Sequence, residues 1–275
     1  MKRNAKKWAV LAAAVGGLGF VIGGSVVKAD IIYQDNFDGT GGLVSGRPVT
    51  VASGLDGGTA STTWTSDAVV GAPNPDALWT ASGGTYSGTG TTSATIGTFS
   101  TGADSNLITN AYLPFTPQAG LIYDLHLAID SSNTGASGNW LGTAFTQAGL
   151  NGHSAGGPSS ALSNDNPYGL LISKGSGAVQ MFGGLGTANQ QNSTFAGVTA
   201  GQYNTFDTIL NTQGTQWTMS WMVNGTLLPQ TFTYTTNPAI GDVVFGTNKL
   251  TGAVSDFSLT TIPEPARRCA STRVK

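Results

Sequence analysis

Along residues 121–130 apolar side chains recur at every second position. Leu121, Tyr123, Leu125, Leu127 and Ile129 are apolar, whereas Asp124, His126 and Asp130 fall on the opposite side. A two-residue period predicts a β-strand with one buried and one wet face. Shorter apolar or alternating runs at 31–37, 140–145, 168–173, 206–211, 243–246 and 253–259 predict further strands, separated by Gly, Ser, Asn and Asp clusters. The first run is closed by Asp38-Gly39. Residues 217–234 predict a hairpin: Trp217, Met219, Trp221 and Val223 share a face, Asn224-Gly225 supplies a two-residue turn, and the chain returns through Leu228, Phe232 and Tyr234. Asn-Gly suits a type I′ turn, in which both residues take φ > 0. A regular register places Trp221 opposite Leu228 and Trp217 opposite Phe232. Residues 56–105 are rich in Gly, Ser and Thr and have weak periodicity, which predicts long loops and edge strands.

The composition agrees with an all-β chain. Only 9% of the 275 residues are charged and 40 are Gly. Soluble domains usually carry about 25% charged residues. Thr, Ser, Asn and Gly must supply the polar surface, and they suit strands and turns better than helix interiors. No repeat of 20–50 residues is visible, which argues against a solenoid or propeller. The formal net charge of −2 hides a division along the chain. Between residues 30 and 262 only Arg47, Lys174 and Lys249 are basic, against thirteen aspartates and no glutamate, so this body carries −10. A body of that sign is repelled by phosphate backbones, so nucleic acid is excluded as a partner.

The basic residues collect at the two ends. Residues 1–29 read as a secretory signal peptide: Lys2, Arg3, Lys6 and Lys7, an apolar stretch from Trp8 to Val27, and a cleavage-like Val27-Lys28-Ala29, with the cut expected between Ala29 and Asp30. A retained membrane helix is the competing reading, because the apolar stretch approaches the roughly 20 residues a span needs. The single cysteine, Cys269, lies in the basic tail, so the body has no disulfide. Three segments are expected: the signal peptide at 1–29, a β-sandwich at 30–262 and a tail at 263–275.

The tail begins Ile262-Pro263-Glu264-Pro265-Ala266-Arg267-Arg268. It resembles the PEP-CTERM proteins, exported proteins of Gram-negative bacteria that end in Pro-Glu-Pro, a hydrophobic helix and an Arg cluster. The resemblance implies Pro263, Glu264 and Pro265 as a sorting motif and an exosortase-type sorting enzyme as a partner. No hydrophobic helix separates Pro265 from Arg267, which suggests a truncated or frame-shifted tail and release of the product. The body resembles concanavalin A-like, laminin-G-like domains through Asp35-Asn36-Phe37-Asp38, Leu113-Pro114-Phe115-Thr116-Pro117, Asn139-Trp140-Leu141-Gly142, the 217–225 hairpin and Val254-Ser255-Asp256-Phe257. This implies an antiparallel jelly-roll β-sandwich in which the first and last strands lie together in one sheet.

Chemistry is sparser than structure. Gly152-His153-Ser154-Ala155-Gly156 matches the G-x-S-x-G nucleophile elbow, but Gly157-Pro158 follows at once, and the only other histidine, His126, precedes the serine. The elbow needs a helix after the serine and an acid and a histidine later in the chain. Glycosidases need paired carboxyl groups, and related jelly-roll enzymes use glutamates that this body lacks. Asp124 and Asp130 share a face with His126 without catalytic spacing, and a wet sheet face accounts for them. A structural calcium is the one cofactor considered, because the ion accepts irregular oxygen sets and paired terminal strands bring Asp35, Asp38 and Asp256 together. Sugar sites stack rings on aromatics and fix hydroxyls with polar side chains. The candidates are Trp64, Trp79 and Tyr168, with Asp165 and Asn166 beside the last. Trp140 and the hairpin tryptophans are assigned to packing.

These readings predict an exported, non-enzymatic protein at the cell surface or in the extracellular matrix, with extracellular polysaccharide as the candidate partner. A structural matrix protein without a discrete site and a polysaccharide-active enzyme are the alternatives.

Overall fold

The structure, a computed structural model, describes residues 29–37, 42–44, 46–51, 63–68, 79–81, 94–96, 108–130, 140–147, 167–174, 177–184, 190–193, 198–199, 201–248 and 253–262. Its strands are β1 (Ile31–Asp35), β2 (Gly42–Leu43), β3 (Thr65–Ala68), β4 (Trp79–Ala81), β5 (Ala94–Ile96), β6 (Ile108–Pro114), β7 (Ile122–Asp130) and β8 (Trp140–Gln147), followed by β9 (Pro167–Lys174), β10 (Val179–Phe182), β11 (Gln190–Ser193), β12 (Asn204–Asn211), β13 (Thr218–Val223), β14 (Thr226–Thr233), β15 (Ile240–Asn248) and β16 (Ala253–Thr261). They form two antiparallel sheets. The nine-stranded sheet runs β14-β13-β12-β7-β16-β5-β4-β2, with β1 also paired to β16, and the seven-stranded sheet runs β11-β10-β9-β8-β15-β6-β3. Among the described residues there is no helix long and apolar enough to cross a membrane.

β7 lies inside the larger sheet and buries the face its alternation predicts: Tyr123, Leu125, Leu127 and Ile129 are fully buried. The first and last strands pair as expected, with Gln34 opposite Ser258 and Asp35 opposite Phe257. In the smaller sheet, the continuous apolar runs in β9 and β15 have a different cause. Leu171, Val243 and Phe245 face the main core, whereas Leu170, Ile172 and Val244 join Ala144 and Phe182 in a second buried cluster that Trp140 and Tyr112 pack against. Strands buried on both faces lose the polar half of their alternation.

The hairpin forms with Asn224 and Gly225 at φ 49° and 72°. The Asn224 side chain accepts from the Thr205 amide at 2.9 Å and donates to Asn204 Oδ1 at 3.0 Å, fixing the turn against β12. Near the turn the register is regular, with Val223 opposite Thr226 and Met222 opposite Leu227. Beyond it, an irregularity between Ser220 and Met222 brings Met219, not Trp217, opposite Phe232. Pro229 sits in the skipped stretch of β14 and has no N–H to give the ladder. Trp217 instead meets Tyr234, whose amide donates to the Trp217 carbonyl at 2.9 Å.

Buried polar side chains tie the two sheets together. Tyr33 on β1 donates to the Pro114 carbonyl of β6 at 2.5 Å, and Trp221 Nε1 on β13 donates to the Gly169 carbonyl of β9 at 2.9 Å. The densest junction surrounds Asp35. Its carboxylate accepts from Arg47 Nε at 2.9 Å, Arg47 Nη2 at 3.1 Å, Trp64 Nε1 at 2.8 Å and the Phe37 amide at 2.7 Å. The Trp64 ring lies 4.9 Å from Phe245 of the smaller sheet and 4.7 Å from Phe257 of the larger.

Removing one partner from a buried ion pair leaves an uncompensated charge, which costs about 3–5 kcal/mol. Arg47→Met is therefore expected to lower Tm by about 10 °C, at about 2–4 °C per kcal/mol for a domain of this size. Thermal denaturation followed by circular dichroism measures this directly, and an unchanged Tm would show that the ion pair contributes nothing.

Candidate functional site

The chain passes from β14 of the larger sheet to β15 of the smaller through residues 234–239, and a cleft of about 620 Å³ opens beside this crossing. Tyr168 at the start of β9, Phe232 and Thr233 at the end of β14, and Tyr234, Thr236 and Asn237 of the connection line it. The alternation of β14 carries Phe232 and Tyr234 to the same side, so both rings turn toward Tyr168. Ring centroids of Tyr168 and Tyr234 are 6.0 Å apart and those of Phe232 and Tyr234 are 5.0 Å apart, both edge to face. The Tyr234 hydroxyl donates to the Gly183 carbonyl. A Cβ at position 183 would lie 2.1 Å from the Phe232 ring, so only glycine lets this ring rest on the backbone there. Asn237 braces the connection, accepting from the Trp217 amide at 2.9 Å and donating to the Thr215 carbonyl at 3.2 Å.

The Tyr168 side chain is 9% exposed, and its hydroxyl has no hydrogen-bond partner among the described residues. Burial raises its pKa. Burial, followed by the neighbouring Tyr168, also raises that of Tyr234. Both phenols therefore stay protonated near neutral pH, and Tyr168 presents a neutral group able to donate and accept. Three aromatic rings, threonine hydroxyls and a phenol not bonded to the described residues form a surface suited to an uncharged, hydroxyl-bearing ligand.

A second cluster occupies the outer face of the larger sheet. His126 on β7 stands opposite Asp207 on β12, with Nδ1 and Oδ1 2.5 Å apart. Asp124 lies two residues before His126, and its Oδ1 is buried without a hydrogen-bond partner. Burial, then the charge of Asp207, pushes the Asp124 pKa from 3.8 to about 7, although His126 opposes this. Burial disfavours the charged form of His126, but the hydrogen bond it gives to Asp207 and the charges of Asp207, Asp124 and Asp256 outweigh this and raise its pKa.

The structure places the sequence-predicted residues as follows. Tyr168 lines the cleft. Trp64 is 1% exposed and donates to Asp35, so it is a core residue and not a stacking platform. Sequence could not show this, because residues around Trp64 lack strand periodicity. Trp79 lies in β4 opposite Ile96. Asp38, Asp165, Asn166, the 152–156 motif and Pro263, Glu264 and Pro265 lie outside the described residues. Ala29 and Asp30 are exposed, and the Asp30 carbonyl accepts from the Thr261 amide at 2.9 Å.

The calcium expectation does not fit Asp35 and Asp256. Asp35 points inward with its charge balanced by Arg47, whereas Asp256 acts on His126 at the outer face. A guanidinium stands where the cation was expected. Among the described residues no group of three or more His, Cys, Asp or Glu side chains is arranged to hold a metal ion. The alternation of the hairpin marked Phe232 and Tyr234 as core. The Thr235-Thr236-Asn237-Pro238 turn that follows them was the missed signal of an accessible loop beside aromatics.

The raised pKa values have a consequence for stability. Between about pH 4 and 7 the folded chain keeps the Asp124 proton that the unfolded chain releases, so stability falls as pH rises through this window. His126 extends the loss above its ordinary pKa of 6.5, because its folded pKa is also raised. Asp124→Asn is expected to be more stable than the parent by about 1–3 kcal/mol at about pH 8, allowing for partial exposure, and similar to it at about pH 4. Thermal melts across this range test the sign. Equal Tm differences at both ends would overturn it.

No protein-family model matches the sequence, and no curated protein matches it. Solved structures do. An endo-1,3-β-glucanase from Streptomyces sioyaensis is similar with a TM-score of 0.56 and 13% identity, covering 88% of this chain and 99% of the other. The Emp47p carbohydrate recognition domain gives 0.45 and 10% identity over 84% and 96% of the two chains. The exoplasmic/lumenal domain of VIP36 in its Ca²⁺-bound form gives 0.43 and 8% identity over 75% and 86%. With the two packed antiparallel sheets and the paired terminal strands, the fold is a concanavalin A-like jelly-roll β-sandwich.

Proposed function

We propose that this protein binds glycans through the Tyr168–Phe232–Tyr234 cleft and acts, without catalysis, at the cell surface or in the extracellular matrix of a Gram-negative bacterium. The observation that supports this reading is the cleft itself, where Tyr168, Phe232 and Tyr234 bring aromatic rings together beside threonine hydroxyls and the Tyr168 hydroxyl makes no hydrogen bond to the described residues. A bound sugar hydroxyl satisfies that phenol, and the partly exposed Phe232 offers apolar surface to a sugar ring. Export rests on the signal-like residues 1–29, and sorting by an exosortase-type enzyme rests on Pro263, Glu264 and Pro265.

The likeness to a glucanase raises hydrolysis as a second reading. Retaining and inverting glycosidases both need two carboxyl groups astride the bond. The described residues lining the cleft include no carboxyl group, and the whole body has no glutamate. Both facts support binding over cleavage.

A glycan array probed with the body at 30–262 is expected to show binding to at least one extracellular polysaccharide. Phe232→Ala is expected to weaken that binding about tenfold, the scale of one lost aromatic contact. Leu227→Ala, at a 61% exposed position on the same strand, is expected to leave it unchanged. No binding to any polysaccharide, or equal losses in both variants, would refute the cleft as a glycan site.

A further inference from the structure

Two of the three basic residues of the body, Arg47 and Lys174, lie among the described residues. Arg47 is committed to Asp35 in the core, on a segment that contributes nothing to the lining. Lys174 ends the strand that Tyr168 begins. Six residues of strand separate them, about 20 Å at the usual rise. Lys249 lies outside the described residues; Asn248, which precedes it in sequence, is the far end of β15, and β15 starts beside the cleft at Ile240. Eight residues of strand make this separation about 26 Å. Both distances are more than twice the roughly 8 Å over which charges act in physiological salt.

The described residues of the lining carry no charge. Tyr168, Gly184, Thr236, Asn237 and their neighbours present rings, hydroxyls, an amide and backbone. The nearest ionisable group along the connection is acidic: Asp242 follows Ala239 by three residues, and burial raises its pKa to about 6, so it is still ionised at neutral pH. Carboxylate and sulphate groups are held in binding sites by Arg or Lys, because desolvating an unpaired anion is costly. A body charge of −10 adds long-range repulsion.

We infer that the cleft selects neutral glycans and rejects uronate-bearing and sulphated ones, with the Tyr168 hydroxyl as the hydrogen-bonding group that fixes the sugar. This rests on the glycan-binding reading and adds the ligand class to it. The rejection comes from what the site withholds: an anionic group entering it loses water and finds no cation. The selection comes from the phenol, a neutral group that can both donate to and accept from a sugar hydroxyl.

The test uses matched pairs of oligosaccharides: galactan and sulphated galactan, mannan and mannuronan, cellulose oligosaccharide and its C6-oxidised form. Isothermal titration is run with the body at 30–262 in low and physiological salt. The expected result is binding of a neutral member at least tenfold tighter than its anionic counterpart, with the gap narrowing as salt rises. Tyr168→Phe is expected to lower affinity for the neutral member about tenfold with an unchanged far-ultraviolet spectrum and Tm. An anionic member that binds as tightly as its neutral counterpart, or tighter, overturns the ligand class while the glycan-binding reading stands. Binding of no member of any pair overturns both. An unchanged affinity in Tyr168→Phe overturns the role given to the hydroxyl.

Discussion

A carboxylate buried in a β-sandwich must be neutralised or it unfolds its surroundings, and Asp35 meets that constraint with a cation held in the same chain. Satisfying Asp35 fixes several elements at once. Arg47 brings the 46–51 segment against β1, where Gln34 and Thr50 exchange backbone hydrogen bonds at 3.0 and 3.1 Å. Trp64 is oriented by its indole N–H, which sets its ring between Phe245 and Phe257, one from each sheet. Phe37, whose amide also binds Asp35, packs on Trp64 at 6.2 Å and on Phe245 at 5.8 Å. The first strand, the last strand and the middle of the smaller sheet thus meet around one anion. A resident cation at this junction needs no ion from solution.

How far sequence revealed this architecture depended on whether the cause was local. The alternation along β7 is a local signal, and its buried face follows residue by residue. The Asn224-Gly225 turn is local too. The register beyond it is not, because Pro229 interrupts the ladder only when a strand is laid beside it. Asp35, Arg47 and Trp64 are separated by 12 and 29 residues in their contacts, so no window shows that they share a hydrogen-bond network. For the same reason the Asp-rich terminal strands suggested calcium, when an arginine in a loop-like stretch supplies the positive charge. β11, which reads Gln-Gln-Asn-Ser, has no apolar signal at all and exists because β10 offers it an edge.

The two polar arrangements of the molecule differ in kind. On the outer face of the larger sheet, burial and Asp207 raise the pKa of Asp124, while Asp207, Asp124 and Asp256 together outweigh burial to raise that of His126. Their charges face one another, and Asp124 keeps one buried oxygen without a hydrogen-bond partner. At the cleft, by contrast, polar groups are either spent on the backbone, as Asn237 and Tyr234 are, or left open, as the Tyr168 hydroxyl is. Open polar groups beside apolar rings are what a ligand can use. This is the ground on which the neutral cleft, and not the charged face, is proposed as the binding site. Its aromatic members also explain why sequence half-found it: Tyr168 stood out beside polar residues, but Phe232 and Tyr234 were hidden in a strand pattern that normally means core.

Sugar binding is generally weak, because a ligand rich in hydroxyls must exchange water for protein partners of nearly equal quality. What a protein can add is preorganisation, so that little freedom is lost when the ligand arrives. The cleft has that property. Tyr234 is held at both ends of its side chain, by the core through its ring and by the Gly183 carbonyl through its hydroxyl. Phe232 rests on a glycine where any side chain would displace it. The connection that carries Thr235 and Thr236 is pinned through Asn237 to two backbone groups of the β12–β13 loop. Tyr168 stands on a strand of the smaller sheet, and the glycine after it accepts hydrogen bonds from Trp221 and Thr208 of the larger. The same cross-sheet bonds that keep the sandwich closed therefore hold Tyr168 in place beside the cleft, so under the proposed glycan-binding reading fold stability and ligand affinity would share one set of contacts.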